Sequence, residues 1–371
     1  MIPFLLIVLV AAGYAWLPRV EGNLWNIAPA LACFVLMGRL MRGPRAWWRG
    51  LLWTVLLFGA IEFGARCGGY HRTLNYERQG DLLFTPSPNQ QCLEKISLSS
   101  SRINNLGLRG PDIDPSALKR RVILCLGDSI TYGYGVADGE TWPAQLQAAL
   151  DVARPGEYLA LNAGVNAYPV SFMHQKFWYL VRQGIRPDTV IVAYSMNEGW
   201  LGDLVESDEA RKDAFERRVH LKNFLRSHAM YNLAVEKWGR AWYDRVKGHL
   251  VPGTHLKEGA PVDRAEVYAT RVGKLLDDIK GQGSRAVVLV ACSLNDQTGR
   301  YDSQGALQRI MADVAAERGV TAIRTDDILG AAAQDFDTKE AFIDASHMTP
   351  AGNKAVAVAL AAAVAGDSPG R

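Results

Sequence analysis

Charge of one sign is what this chain most plainly lacks: 41 Lys and Arg stand against 38 Asp and Glu, a formal net charge of +3 over 371 residues. Proteins that grip nucleic acid draw much of their affinity from a basic excess, so nothing in the composition argues for that partner. Cysteine is scarce too, with five in the chain. Cys33, Cys125 and Cys292 read as small buried hydrophobes. Cys67 and Cys92 share one segment, in which an oxidising compartment would permit a bridge. His71, His174, His220, His228, His249 and His255 are scattered without paired ligand spacing, so neither a metal nor another cofactor is expected. The glycines Gly127, Gly133, Gly135 and Gly139 are not followed by Lys-Ser or Lys-Thr, which excludes a phosphate-cradling loop.

What is present, from Arg120 to Leu360, is an alternation of β-branched apolar runs with amphipathic stretches of helical length. That pattern predicts an α/β fold with a doubly wound parallel sheet of about five strands. The expected strands are Arg121 to Leu126, Tyr158 to Leu161, Thr189 to Tyr194, Ala286 to Ala291 and Val320 to Arg324. Helices are expected at Glu140 to Ala153, Val170 to Gln183, Asp263 to Lys280, Ser303 to Arg318 and Pro350 to Val364. Open parallel sheets bind ligands beyond the carboxyl ends of their strands. Ser129 follows the first strand, Asn162 and Gly164 the second and Asn197 the third, while Asp344 and His347 follow the fifth.

These positions suggest acyl transfer. A serine hydroxyl attacks well only when an imidazole takes its proton, and a carboxylate fixes that imidazole's tautomer. Ser129 is the candidate nucleophile, His347 its base and Asp344, three residues earlier, the orienting carboxylate. The Ser129 N–H, the Gly164 N–H and the Asn197 amide are candidate donors to the oxyanion. Taken alone, Gly164 also suits a turn and Asn197 a loop cap. Their joint placement after successive strands favours the oxyanion role. An ordinary nucleophile elbow needs glycine two places after the serine, and Thr131 stands there.

With these residues in order, the chain resembles the SGNH (GDSL-type) hydrolases. Ser129 lies in Gly127-Asp128-Ser129-Ile130, Gly164 in Leu161-Asn162-Ala163-Gly164, Asn197 in Ser195-Met196-Asn197-Glu198, and the last block is Asp344-Ala345-Ser346-His347. The resemblance runs from about residue 103 to 364. It implies a flavodoxin-like three-layer α/β/α fold and assigns Ser129, Gly164, Asn197 and His347 the family's four hallmark roles. The third block usually reads Gly-x-Asn-Asp, so Ser195 and Glu198 depart from it, which implies an altered loop and leaves the oxyanion residue in place. Asn105-Leu106-Gly107-Leu108-Arg109-Gly110 is similar to a lead-in segment of membrane-tethered members found with bacterial polysaccharide machinery.

Three apolar stretches crowd the N-terminus: Ile2 to Leu17, Leu24 to Met41 and Leu51 to Ala65. Each is near the lower limit for crossing a bilayer. Residues 1–66 are therefore expected to form a membrane region of three helices, with Trp25, Trp47, Trp48 and Trp53 at the interfaces. Arg39, Arg42, Arg45 and Arg49 place the second connection in the cytoplasm, with the N-terminus also cytoplasmic and the catalytic domain in the periplasm of a bacterial inner membrane. A cleaved signal peptide over Met1 to Ala15 competes, although it lacks a basic start. Residues 67–115 are expected to be an irregular connector strapped onto the domain, and 116–366 the catalytic domain. A helical insertion at about 198–261 could be a lid, a membrane-surface helix or a helix packed on its own domain.

The resemblance implies a serine esterase acting on O-acyl, chiefly O-acetyl, esters of a cell-envelope or exported glycan. An O-acyltransferase with the same residues and a noncatalytic assembly subunit are the alternatives. The implied partners are an acylated carbohydrate, the membrane, and a membrane protein of polysaccharide export or modification.

Overall fold

Five short apolar runs pair side by side in parallel: β1 (Arg121–Leu126), β2 (Tyr158–Asn162), β3 (Thr189–Ala193), β4 (Arg285–Val290) and β5 (Thr321–Arg324). Every residue of β3 is buried, as is every residue of β1 and β4 after the first, as strands covered on both faces must be. The expected strands are present to within a residue at each end. Their order is β5-β4-β3-β1-β2. The chain leaves β1 to one side for β2 and returns to the other for β3, so the carboxyl end of β1 is the switch point of the sheet.

The computed structural model describes residues 44–70, 73–94, 99–198, 202–205, 207–235, 237, 262–295, 300–331 and 338–366. The chain divides into two units, one of residues 1–73, 94–96 and 224–252 and the other of the remainder. The helices of the larger unit that matter to the site are α1 (Ser129–Tyr132), α2 (Trp142–Ala153), α3 (Val170–Arg182), α4 (Val262–Gly281), α5 (Ala306–Glu317), α6 (Thr325–Ala331) and α7 (Pro350–Gly366). Thr141 starts α2 by accepting the Ala144 N–H, and the helix then buries Trp142, Leu146 and Leu150, one residue per turn. α4 does the same with Tyr268, Val272, Leu275, Leu276 and Ile279. α2 packs on α7, and α4 packs against both α3 and α5. Right-handed crossovers put α2 and α7 on one face of the sheet and α3, α4 and α5 on the other, giving three layers.

The segment expected to be irregular forms two two-stranded sheets, Tyr76–Gln79 with Leu82–Pro86 and Gln90–Glu94 with Ser99–Ile103. Leu82, Leu83 and Ile103 enter the same core as the sheet. Lys176, fully buried on α3, ties this strap down. Its Nζ donates to Thr85 Oγ1 at 2.8 Å and to the Gly107 carbonyl at 3.4 Å. Cys67 is an exposed thiol and Cys92 a buried one.

In the smaller unit, the stretch Leu51 to Ala65 lies in the helix Pro44–Cys67. Among the described residues no helix is long and apolar enough to cross a membrane, which corrects the expectation for this third stretch. The stretches Ile2 to Leu17 and Leu24 to Met41 lie outside the described residues. Glu62, out of place in an apolar run, has a structural task. Its two carboxylate oxygens accept the Ala229 and Met230 N–H groups at 3.0 and 2.9 Å, capping the helix Ala229–Ala234, and Arg66 pairs with it at 2.6 Å. Glu62 and the helix it caps belong to the same unit.

Burial pushes the Lys176 ammonium down from its ordinary value of 10.5 to about 7. Between these values the unfolded chain holds the extra proton and the folded chain does not, so stability rises with pH through this window. Relative to Lys176→Met, the wild type should gain up to a few kcal/mol between pH 7 and pH 10 in urea unfolding. Parallel stability curves for the two proteins over that range would contradict it.

Candidate active site

A helix of one turn carries the candidate nucleophile. Asp128 caps α1, its Oδ1 accepting the Ile130 N–H at 2.9 Å, and Gly133 closes it in the left-handed conformation at φ 87°. Ser129 is the first helical residue, where a backbone N–H has no acceptor within the helix.

His347 arrives from the loop before α7. Its Nε2 lies 2.8 Å from Ser129 Oγ, and its Nδ1 lies 2.8 Å from Asp344 Oδ2 and 3.0 Å from Oδ1. The three side chains thus form a continuous relay from hydroxyl through imidazole to carboxylate. Asp344 Oδ1 also accepts the Ser346 and His347 N–H groups at 3.0 and 2.9 Å. Partial burial alone would raise the Asp344 pKa. The hydrogen bonds from the His347 ring and from these two N–H groups, with the His347 charge, outweigh it and hold the carboxyl at about 2. The Asp344 carboxyl is therefore ionised throughout the neutral range.

The candidate oxyanion donors flank Ser129. Gly164 packs on the backbone of α1, and a Cβ there would come within 2.3 Å of the Tyr132 nitrogen, so only glycine permits the approach. Its N–H donates to Asn162 Oδ1 at 3.0 Å. The Asn197 amide donates to Asp128 Oδ2 at 2.7 Å and approaches Ser195 Oγ at 3.4 Å. Both donors are therefore oriented by protein acceptors before any ligand arrives. Ser195, at the place where glycine was expected, is fully buried. Its hydroxyl donates to the Tyr168 carbonyl at 2.6 Å and accepts the Asn197 N–H at 3.0 Å, so it shapes the loop through side-chain bonds.

Asp128 is wholly buried, and burial moves its pKa upward against the bond from the Ile130 N–H and the His347 charge. Glu198 is a second buried carboxyl. It accepts the first N–H of α3, at Val170, at 2.5 Å, with Arg271 Nη1 3.8 Å away. Burial, opposed by that N–H and by Arg271 and reinforced by Asp203 and Asp128, pushes Glu198 up to about 7.

Two side chains around the relay were not anticipated. The Tyr134 ring lies against the His347 ring with centroids 4.7 Å apart, and the Tyr301 hydroxyl donates to the Asp344 carbonyl at 2.8 Å. Tyr134 sits five residues after Ser129, in the same turn, which is a usable signal. Tyr301 comes from a strand pair distant in sequence and has none.

A family model described as GDSL-like Lipase/Acylhydrolase matches residues 125–355. No curated protein sequence matches the chain. Similar solved structures include an α/β hydrolase from the metagenome of Lake Arreo, Spain, 15% identical, covering 66% of this chain and 95% of its own, with a TM-score of 0.43. A variant of an acetyl xylan esterase from Geobacillus stearothermophilus is also 15% identical, covering 68% of this chain and 97% of its own at a TM-score of 0.43. A carbohydrate acetylesterase from Sinorhizobium meliloti is 15% identical and covers 67% of this chain and 99% of its own at a TM-score of 0.40.

Asn197→Ala removes a candidate donor to the oxyanion and at the same time the partner of a buried carboxylate. Ester turnover should fall by roughly 10²–10³-fold. Thermal or urea unfolding should record a loss of about 1–3 kcal/mol. A variant with wild-type turnover would remove Asn197 from the site.

Proposed function

The chain belongs to the GDSL-like lipase/acylhydrolase family and is an ester hydrolase, and from that premise we propose that it removes O-acyl groups, chiefly O-acetyl, from a cell-envelope or exported glycan by way of Ser129, His347 and Asp344. The observation that carries the catalytic part is the relay itself, with 2.8 Å on each side of the imidazole. His347 Nε2 takes the Ser129 proton as Oγ attacks the ester carbonyl carbon. The same proton passes to the departing sugar oxygen as the tetrahedral intermediate collapses to an acyl-enzyme. Water, deprotonated by His347, then releases the carboxylic acid and restores Ser129.

Charge that develops on the carbonyl oxygen is met by the Ser129, Gly164 and Asn197 donors. The Gly164 N–H trades a neutral acceptor, Asn162 Oδ1, for an anionic one. Charge-assisted hydrogen bonds are roughly twice as strong as neutral ones, so the trade favours the transition state over the resting enzyme.

The glycan part of the reading is supported by the likeness of residues 105–110 to the lead-in segment of members that work with polysaccharide machinery. Association with a membrane, and with a membrane-protein partner, is proposed from the apolar stretches Ile2 to Leu17 and Leu24 to Met41.

The full chain should hydrolyse p-nitrophenyl acetate and release acetate from an O-acetylated polysaccharide. Ser129→Ala should reduce both rates by roughly 10³-fold or more with the fold intact by circular dichroism. A folded wild type no faster than Ser129→Ala on either substrate would overturn the reading.

A further inference from the structure

Helix α1 is four residues long, too short to hold itself by its own hydrogen bonds, because the first turn of a helix costs more than it returns. Its last carbonyls and those of the turn after it need donors from elsewhere. The Asn162 amide and the Val136 N–H reach the Tyr132 and Gly133 carbonyls at 3.4 and 3.3 Å, and the shorter bonds come from Arg109, a residue outside the 125–355 family match. The Arg109 side chain is 1% exposed, and each of its five N–H groups has an acceptor. Nη1 donates to the Tyr132 and Gly133 carbonyls at 2.8 and 2.7 Å. Nη2 donates to the Val136 carbonyl at 2.8 Å and the Ser100 carbonyl at 2.9 Å. Nε donates to Asp138 Oδ1 at 2.8 Å, which balances the charge. The guanidinium plane also lies over the Tyr132 ring, 4.6 Å from its centroid.

The strap is folded to deliver this side chain. Asn104, buried, accepts the Leu106 and Leu108 N–H groups with its side-chain oxygen at 2.9 and 3.0 Å, and Gly107 turns the chain at φ 70°. The Arg109 N–H then donates to the Asn162 carbonyl at 3.1 Å. Asn162 is the residue whose side chain orients the Gly164 N–H. One residue thereby joins the nucleophile turn, the oxyanion loop and Tyr134, whose ring lies against His347.

We propose that Arg109 is a positioning residue for the acyl-transfer site, holding the Tyr132–Val136 turn so that Ser129 faces both His347 and the oxyanion donors, and that the strap of residues 99–113 is therefore a working part of the catalytic unit. This rests on the reading of Ser129 as nucleophile. Lysine keeps the charge but offers three donors from a single point, so it cannot reproduce the fork.

The test uses the full chain as wild type, Ser129→Ala, Arg109→Lys and Arg109→Ala, with p-nitrophenyl acetate. Active sites are counted by fluorophosphonate labelling, so that rates refer to folded enzyme. Arg109→Lys should lose roughly 10- to 100-fold in kcat with KM little changed, the signature of a displaced nucleophile rather than a lost substrate contact. Millimolar guanidinium should restore part of the kcat of Arg109→Ala and leave the wild type unaffected. Wild-type kcat per folded molecule in Arg109→Lys would overturn the proposal. So would failure of every Arg109 variant to fold, which would make the residue a general support of the core. If the wild type itself does not exceed Ser129→Ala, the serine mechanism has failed instead, and the two failures are told apart.

Discussion

A carboxylate taken wholly out of water has to be hydrogen-bonded on every side, and Asp128 imposes that requirement on the heart of this molecule. Satisfying it draws in the Ile130 N–H from the nucleophile helix and the Asn197 amide from the loop after β3. The ends of two neighbouring strands are thereby pinned together, one carrying Ser129, the proposed nucleophile, and the other Asn197, the proposed oxyanion donor. Burial lifts the Asp128 pKa, so the arrangement carries an electrostatic cost that the hydrogen bonds offset. Such a group is poorly placed to move protons to a substrate and well placed to fix geometry.

The rest of the site adds constraints of the same kind around this one. Gly164 approaches the α1 backbone more closely than any side chain permits, Arg109 fills the carbonyls that α1 cannot satisfy, and Ser195 replaces the conformational freedom of a glycine with two hydrogen bonds. Glu198 ties the Asn197 loop to the start of α3, with Arg271 beside it. Catalysis by preorganised donors needs this rigidity, since donors that must reorient during the reaction contribute less.

Much of the architecture was legible because it rests on local pattern. The runs at Arg121–Leu126 and Thr189–Ala193 are too apolar and too β-branched to be anything but buried strands, and the helical faces of α2 and α4 are periodic. The blocks around Ser129, Gly164, Asn197 and His347 could be ordered along the sheet because each follows a strand. Other features depend on contacts between distant segments and leave no local trace. The strap read as irregular because its strands are only four or five residues long. Glu62 read as an unexplained charge because its partners, Ala229 and Met230, lie more than 160 residues away. The Leu51 to Ala65 stretch read as a membrane span on a run of about fifteen apolar residues, although the helix it belongs to, Pro44–Cys67, is not apolar enough over a spanning length. Arg109 stood in a recognisable stretch, but nothing in that stretch names the five oxygens it serves.

The central claim is that Ser129 Oγ is the atom that becomes acylated. The most direct measurement is intact-mass and peptide mass spectrometry of the full chain after reaction with a fluorophosphonate, with and without prior His347→Ala substitution. The account predicts a single adduct, located on Ser129, that forms rapidly in the wild type and is nearly abolished when the imidazole is removed. An adduct on another residue, or labelling of Ser129 at the same rate without His347, would contradict it.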